Sequence, residues 1–279
     1  MISNRPEKPF RTRLRYLPYY VFGFALAYLG LAWLISYLGD VHNFLGLTDR
    51  LINRGAERPF MWYYLFMEGS PTEWLQWCYL GATVLMSGIL GGQLAAKRQW
   101  LPARFFTLLG VGTTIMLMED AGNLRHQIKY YIRLIFGDTM RLGIAVELVF
   151  YGLLGLFLLY ILVRYARVIW QQRTTRRFLL FGYGAYALAA LASATRHIAD
   201  WYDHFGNWLL QIAGLYELMN ARFIPTNVPR PIGFYIMDFL VEESIELMAA
   251  SALLAGVVAY FVAYQRDPKI ARVDLKTMR

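Results

Sequence analysis

Ionisable side chains stand at the ends of apolar stretches of this sequence, where residues of a membrane-spanning helix are expected. The stretch "MEDAGNLRH" places Glu119, Asp120, Arg125 and His126 directly after the apolar run "FFTLLGVGTTIML". That run is too short to cross a bilayer, because a crossing needs about 20 residues. We therefore predict that Glu119 and Asp120 lie within the membrane, where charged groups are costly and either pair or bind a ligand.

Ionisable residues of three more apolar segments are expected at the same depth in the membrane. The depth is found by counting residues from the basic end of each segment. Counted over about 20 residues from the basic end of each segment, Glu147, Arg196 and Glu246 lie near that level. Charges at one depth on four spans predict an outward-facing pocket of carboxylates and histidines. Its candidate metal ligands are Glu119, His126, Glu147, His197, Glu243 and Glu246. Its supporting charge network is Asp120, Asn123, Arg125, Arg196, Asp200, His204, Asp238 and Glu242.

Helical spacing groups these residues, because positions three, four and seven apart share one face of a helix. It predicts one stripe of Glu119, Asn123 and His126, and a second stripe of His197, Asp200 and His204. In "DFLVEESIELMAASALL", the acids fall on overlapping faces of the last apolar segment. Small residues follow them, and small residues allow helices to approach closely. We expect a tightly packed floor beneath the polar pocket.

Three functions fit such a pocket. Carboxylates and imidazoles on facing helices hold di-iron or di-manganese centres, and the same ligands suit zinc. The first hypothesis is therefore a divalent metal (Zn, Fe or Mn) used for binding, or for hydrolytic or redox chemistry on a lipid-like or periplasmic substrate. The motifs Glu-x-x-His and His-Glu-x-x-His, which normally identify such centres, are absent from the sequence. Whether the chain is an enzyme stays open.

The other two functions use the same charges without a metal. In the second, Arg125 and Arg196 neutralise the acids, and the network specifies packing in an accessory or scaffold subunit of a membrane complex or in a homo-oligomer. In the third, the acids relay protons or bind a solute in a proton- or cation-coupled transporter. A surplus of acids over arginines favours an added cation or proton.

Composition and hydropathy indicate the elements that carry these residues. The chain is 57% hydrophobic and 17% charged, and its apolar residues form six long blocks. We predict an all-α polytopic membrane helix bundle, a single integral membrane domain over residues 1–279. Its expected spans are about 17–38, 74–95, 103–124, 143–164, 178–198 and 240–264. The connections 39–73, 127–141 and 199–231 mix large apolar residues with sparse charge, which predicts interfacial helices.

Basic residues predict the orientation of the chain. The N-terminus, the second and fourth connections and the C-terminus together hold 18 of the 28 Lys and Arg, against three acids. By the positive-inside rule these segments and both termini are cytoplasmic, in a plasma (inner) membrane of bacterial type. The charge of +9 is then explained by orientation and by lipid contact, so the expected partner is the bilayer and not nucleic acid.

The two acidic segments also carry a resemblance. "MEDAGNLRH" followed by "VEESIELMAASALL" resembles a set of uncharacterised bacterial multi-pass membrane proteins. These proteins have an acidic pair before a His at one helix end and a late helix of EE-x-x-E type. The matching positions are Glu119–Asp120, His126 and Glu242–Glu243–Glu246. The resemblance implies the architecture and carries no activity.

Overall fold

Helices make up almost all of the chain that the structure describes. The computed structural model describes residues 14–56, 58–137, 140–196, 199–223 and 230–271, and these ranges contain no strand. The helices are α1 (Leu17–Asp40), α2 (Leu47–Asn53), α3 (Met61–Phe66), α4 (Pro71–Ala96), α5 (Trp100–Gly122), α6 (Leu124–Phe136), α7 (Met140–Arg164), α8 (Ala166–Trp170), α9 (Arg173–Thr195), α10 (Trp201–Ile212), α11 (Tyr216–Arg222), α12 (Ile232–Tyr235) and α13 (Glu242–Arg266). A π-helix, Ile236–Val241, joins α12 to α13.

Six helical segments of the described chain are long and apolar enough to cross a membrane. They are Leu14–Asp40, Met61–Ala96, Trp100–Gly122, Ala145–Arg164, Arg173–Thr195 and Ile232–Arg266. The predicted all-helical, polytopic class is thereby confirmed. The short helices α2, α3, α6, α10 and α11 lie in the connections where interfacial helices were expected.

The chain divides into two compact units, which are described separately below. Unit 1 comprises the described residues of the ranges 1–24, 77–184 and 250–279. Unit 2 comprises those of the ranges 25–76 and 185–249. The limits of the units fall within helices α1, α4, α9 and α13.

In unit 1, small residues allow long helices to approach closely. A Cβ atom added at Gly91 of α4 would lie 2.8 Å from the Thr107 hydroxyl of α5. One added at Gly256 of α13 would lie 2.8 Å from the Leu179 side chain of α9. Phe106 and Tyr260 fill the adjoining core, with ring centroids 4.6 Å apart. The role that the sequence assigned to the small residues of the last helix, close packing, is therefore seen at Gly256.

The helix that begins at Trp100 ends earlier than the predicted stripe of Glu119, Asn123 and His126 requires. Asn123 has a left-handed backbone (φ 48°, ψ 39°), and its N–H donates to the carbonyl of Met118. Asparagine tolerates this conformation at a helix end better than most residues. The chain changes direction there, and α6 begins at Leu124. The prediction of one continuous stripe across Asn123 is therefore wrong.

The second predicted stripe is also interrupted. Helix α9 ends at Thr195, and Ala199 and Asp200 both have positive φ before α10 begins at Trp201. Asp200 is thus the residue that precedes a new helix, and a continuous helical stripe through it is excluded. His197 lies outside the described residues.

Two backbones approach each other closely in unit 2. Gly206 of α10 meets Gly233 of α12, and a Cβ atom built on Gly206 would lie 1.9 Å from the Gly233 carbonyl oxygen. The N–H of Gly233 donates to the side chain of Asn207 at 3.1 Å. This contact anchors α10 against the segment that leads into the π-helix.

The π-helix in unit 2 shifts the side-chain register before the acids of α13. Its backbone is supported by Ser244, whose hydroxyl donates to the carbonyl of Leu240 at 2.6 Å. The same hydroxyl accepts a hydrogen bond from Trp33 Nε1 of α1 at 3.1 Å. Isolated π-helical turns within α-helical segments occur frequently at functional sites.

Candidate functional site

Charged residues at and around the predicted site form two sets, one in each unit. We call Glu119, Arg125, Lys129 and Glu147 of unit 1 the paired set. We call Asp238, Glu242, Glu243 and Glu246 of unit 2 the acid set. Each set is described within its own unit.

The first half of the paired set joins the end of α5 to the start of α6. Arg125 Nε lies 3.0 Å from Glu119 Oε1, and the Arg125 backbone N–H donates to Glu119 Oε2 at 2.9 Å. The Tyr151 hydroxyl of α7 donates to Glu119 Oε1 at 3.3 Å. The Arg125 guanidinium also lies over the Tyr151 ring, 5.0 Å from its centroid. The bend at Asn123 makes this contact, because it carries Arg125 back towards Glu119.

The second half of the paired set joins α6 to α7. Lys129 Nζ lies 2.6 Å from Glu147 Oε1, and the Glu147 side chain is only 2% exposed. Gly143, one turn before Glu147, leaves room for the basic side chains of α6. A Cβ atom there would lie 2.9 Å from Lys129 Cε and 2.8 Å from Arg133 Nη2. The absence of a side chain at Gly143 therefore lets Lys129 reach Glu147.

Both glutamates of the paired set are thus held by a cation of the chain. Burying a carboxylate alone would be very costly, and a close, hydrogen-bonded base offsets much of that cost. The sequence analysis missed Lys129. A signal was available, because Lys129 follows Arg125 by four residues and so lies on the same face of the amphipathic α6.

His126 belongs to the surroundings of the paired set, and its side chain is exposed. Its Nε2 atom lies 3.1 Å from Arg125 Nη2. A guanidinium can only donate, so Nε2 is the acceptor in this contact. The nitrogen that accepts from Arg125 cannot at the same time coordinate a metal.

The acid set of unit 2 is held differently. Arg196 Nη1 lies 2.6 Å from Asp238 Oδ1 in the π-helix. Glu242 accepts a short hydrogen bond from the Tyr202 hydroxyl of α10. Glu246 accepts a hydrogen bond from Gln76 Nε2 of α4 at 2.9 Å. The donors to Glu242 and Glu246 in these two contacts are neutral groups.

Tyr202 is fully buried in this environment. Burial raises the pKa of its hydroxyl far above the usual range, and the negative charge of Glu242 raises it further. Tyr202 therefore keeps its proton and acts as a hydrogen-bond donor. Sequence reasoning missed both Tyr202 and Gln76, because neutral donors leave no charge pattern in a sequence.

A further acid of unit 2, Asp40, is the last residue of α1, and its side chain contacts the start of α3. Its carboxylate accepts the backbone N–H groups of Met61 at 2.6 Å and Trp62 at 3.0 Å, the first two residues of α3. Arg222 donates to the Asp40 carbonyl oxygen at 2.5 Å. The two backbone contacts satisfy amide groups that the start of α3 leaves without partners, and Arg222 satisfies a carbonyl at the end of α1. Asp40 therefore acts as a remote helix cap.

The remaining predicted site residues occupy varied environments. Asp120 and Glu243 are partly buried, whereas Asp200 and His204 are exposed. Within the described residues, no three His, Cys, Asp or Glu side chains form a group that could hold a metal ion. The six predicted metal ligands remain a hypothesis, since His197 lies outside these residues.

Comparison with known proteins gives no family to which the chain can be assigned. Neither the protein-family models, nor the curated proteins, nor the solved structures contain a match to this chain. The two sets of charges are consequently interpreted from their own geometry.

Proposed function

We propose that this membrane protein binds a cation at the acid set of unit 2, with Glu242 and Glu246 acting as a pair of carboxylates, since the described acids do not form a group of three metal ligands. The observation that supports the proposal is the kind of donor present: Glu242 and Glu246 accept hydrogen bonds from Tyr202 and Gln76, which bring no positive charge. Arg196 lies against Asp238.

The physical reason is the cost of charge in a membrane-spanning segment. Glu242 and Glu246 belong to the segment Ile232–Arg266, where ionised carboxylates normally face a partner or a ligand. Neutral donors satisfy lone pairs but leave the net charge in place, so an added cation stabilises the set. Carboxylate and amide oxygens suit hard divalent ions such as Mn²⁺. A bound ion there would serve binding or the activation of a water molecule.

Metal analysis and titration test this function. The purified protein is equilibrated with Mn²⁺, Zn²⁺ or Fe²⁺ and desalted, and metal per chain is measured together with the thermal unfolding midpoint. We expect one of these ions to be retained and to raise the midpoint. Glu246→Gln and Glu242→Gln should abolish both effects, while Glu217→Gln, at an exposed position of α11, should leave them unchanged.

Other outcomes of the same experiment contradict the proposal. Metal retention at background level, with no midpoint shift at any pH, would exclude cation binding. Equal retention by Glu246→Gln would place the ion elsewhere. Proton binding, the property that a transporter requires, would instead give a midpoint that depends on pH and not on metal.

A second candidate function, a structural subunit, is favoured by the paired set of unit 1. Each of its glutamates contacts a base of the same chain, so these charges support packing without a ligand. An accessory subunit should co-purify with the same partner proteins from mild detergent. Substitutions on the exposed face of α6, such as Leu134→Ser and Ile135→Ser, should release those partners without lowering cation binding.

We also propose that the termini are cytoplasmic, in a bacterial inner membrane, which the distribution of Lys and Arg supports. Single cysteines test this orientation in a Cys78→Ala background. A reagent that cannot cross the membrane should label cysteine at Phe205 in intact cells, and at Gln172 only after the cells are opened. The reverse pattern would invert the topology.

A further inference from the structure

Unit 1 contains an apolar groove that neither set of charges uses. It lies between α1 and α9 and has a volume of about 290 Å³, at the small end of the range for ligand sites, roughly 300–1,000 Å³. Its lining residues are Tyr19, Phe22, Thr174, Arg177, Phe178 and Phe181.

Aromatic rings form the walls of the groove. The Phe178 ring lies 5.6 Å from Tyr19 and 5.6 Å from Phe22, and Phe22 lies 5.9 Å from Phe181. Phe178 and Phe181 are three residues apart on α9, and Tyr19 and Phe22 are three apart on α1, so each pair shares a face of its helix. Tyr19 and Phe181 stay about half exposed. The groove is therefore lined by aromatic side chains and is open along one side.

One end of the groove is positively charged. Arg177 and Thr174 line that end, and Arg173 lies one turn before Arg177 on α9. The first turn of α9 holds no acid. A helix start also carries a partial positive charge from its free N–H groups. A guanidinium, a hydroxyl and a helix start at the end of an apolar slot match a phosphate group with an attached hydrocarbon chain.

We propose that this groove binds one anionic glycerophospholipid, independently of the proposed cation site. The phosphate lies against Arg177 and Thr174, and one acyl chain lies along Phe22, Phe178 and Phe181. Basic pockets between membrane-spanning helices are a recognised type of site for anionic headgroups. Both α1 and α9 belong to segments that are apolar enough to span a membrane, so lipid is already the surrounding solvent of the groove.

Charge distinguishes the lipid from two competing occupants. Residues 1–13 of the chain carry Arg5, Lys8, Arg11 and Arg13, and such a segment would be repelled by Arg177. A second copy docked on the same face by two-fold symmetry would bring its own Arg177 towards this one. An anionic lipid supplies the opposite charge instead.

Lipid retention tests the proposal. The protein is reconstituted in vesicles of equimolar phosphatidylcholine and phosphatidylglycerol and extracted in mild detergent, and its bound lipid is counted by native mass spectrometry. We expect one phosphatidylglycerol per chain, retained in preference to phosphatidylcholine. Arg177→Gln should lower this preference about fivefold, as expected for the loss of one arginine near the headgroup. Arg167→Gln on α8, an exposed arginine outside the groove, should leave it unchanged.

Cross-linking with a photoreactive acyl chain locates the bound lipid. It uses the unmodified protein, so it tests the proposal even if Arg177→Gln does not fold. Phosphatidylglycerol with a diazirine on its chain should cross-link to peptides that contain Phe22, Phe178 or Phe181. Adducts confined to other helices would overturn the proposal. So would equal retention of the two lipids, displacement of the lipid by inorganic phosphate alone, a dimer that blocks cross-linking, or lipid bound only after removal of residues 1–13.

Discussion

The paired set and the acid set contain the same residue type in opposite electrostatic situations. In unit 1, Glu119 and Glu147 each contact a guanidinium or an ammonium group at 3.0 Å or less. In unit 2, Glu242 and Glu246 contact a phenol and an amide. A base in contact with a buried carboxylate offsets its negative charge within the chain, whereas a neutral donor supplies a hydrogen bond and no opposite charge. The comparison distinguishes carboxylates that contact a base of the same chain from carboxylates that contact a neutral donor, and the proposed cation site rests on this difference.

The largest expected effect is at Glu147. Replacing Glu147 by Gln removes the negative charge and leaves the Lys129 ammonium in its largely buried position without a counter-charge. Breaking a buried pair from one side costs about 3 kcal/mol. We expect the free energy of unfolding in mixed micelles to fall by that amount.

The double variant Lys129→Met with Glu147→Leu is the control for this effect. It removes both charges and keeps the apolar volume, so most of the lost stability should return. A double variant as unstable as Glu147→Gln would show that the ion pair is not what Glu147 contributes.

The next largest change in stability is expected at Tyr202, the hydrogen-bond donor to Glu242 of the acid set. Replacing Tyr202 by Phe removes the hydrogen bond to Glu242 and keeps the buried ring. A bond to an ionised carboxylate contributes about 2 kcal/mol, and one to a neutral carboxyl about 1 kcal/mol. We expect the larger loss in the presence of the bound ion and the smaller loss at acid pH, both measured by chemical unfolding. Tyr64→Phe, at an exposed tyrosine of unit 2, should change neither value. Equal losses under both conditions would mean that Glu242 does not change its charge.

Gly143 tests whether space, as well as charge, maintains the paired set. A Cβ atom at this position would press on Lys129 and Arg133, whose long side chains can partly yield. Gly143→Ala should therefore destabilise the protein by about 1 kcal/mol, at the low end of the cost of overpacking. Gly152, also on α7, has no neighbour within 4 Å of a built Cβ atom. Gly152→Ala should be neutral or stabilising, since alanine favours helix. Equal changes in stability for Gly143→Ala and Gly152→Ala would show that Gly143 is not needed to make room for Lys129 and Arg133.

Sequence reasoning predicted the helices well, because length and hydropathy are local properties. The run from Trp100 to Met118 and the final apolar block both become helices suited to a membrane. One of the three hypotheses drawn from the sequence paired Arg125 and Arg196 with the acids, since opposite charges near one depth tend to pair. In the structure Arg125 contacts Glu119 and Arg196 contacts Asp238. Sequence reasoning failed at Asn123, because a single left-handed residue ends a helix without any change in hydropathy.

Contacts between helices were the part that the sequence did not reveal. Lys129 and Glu147 are 18 positions apart on different helices, and the bend at Asn123 decides that they meet. Gln76 and Glu246 are 170 positions apart in the sequence. Gln76 is neutral, and the sequence analysis considered only ionisable residues when it estimated depth in the membrane. The register of the acids depends on the π-helix before α13, which no hydrophobic period indicates.

Glu246 gives the smallest expected change in stability and the sharpest contrast with Glu147. Glu246→Gln is the same substitution as Glu147→Gln, but here the carboxylate faces the Gln76 amide, to which a glutamine carbonyl oxygen can still bond. The Gln76 contact of Glu246 is not an ion pair, so removal of the Glu246 charge should leave the free energy of unfolding within about 0.5 kcal/mol in metal-free buffer. Cation binding should nevertheless disappear. A loss near 3 kcal/mol at Glu246, comparable to that at Glu147, would mean that the two sets are electrostatically alike and that both serve packing.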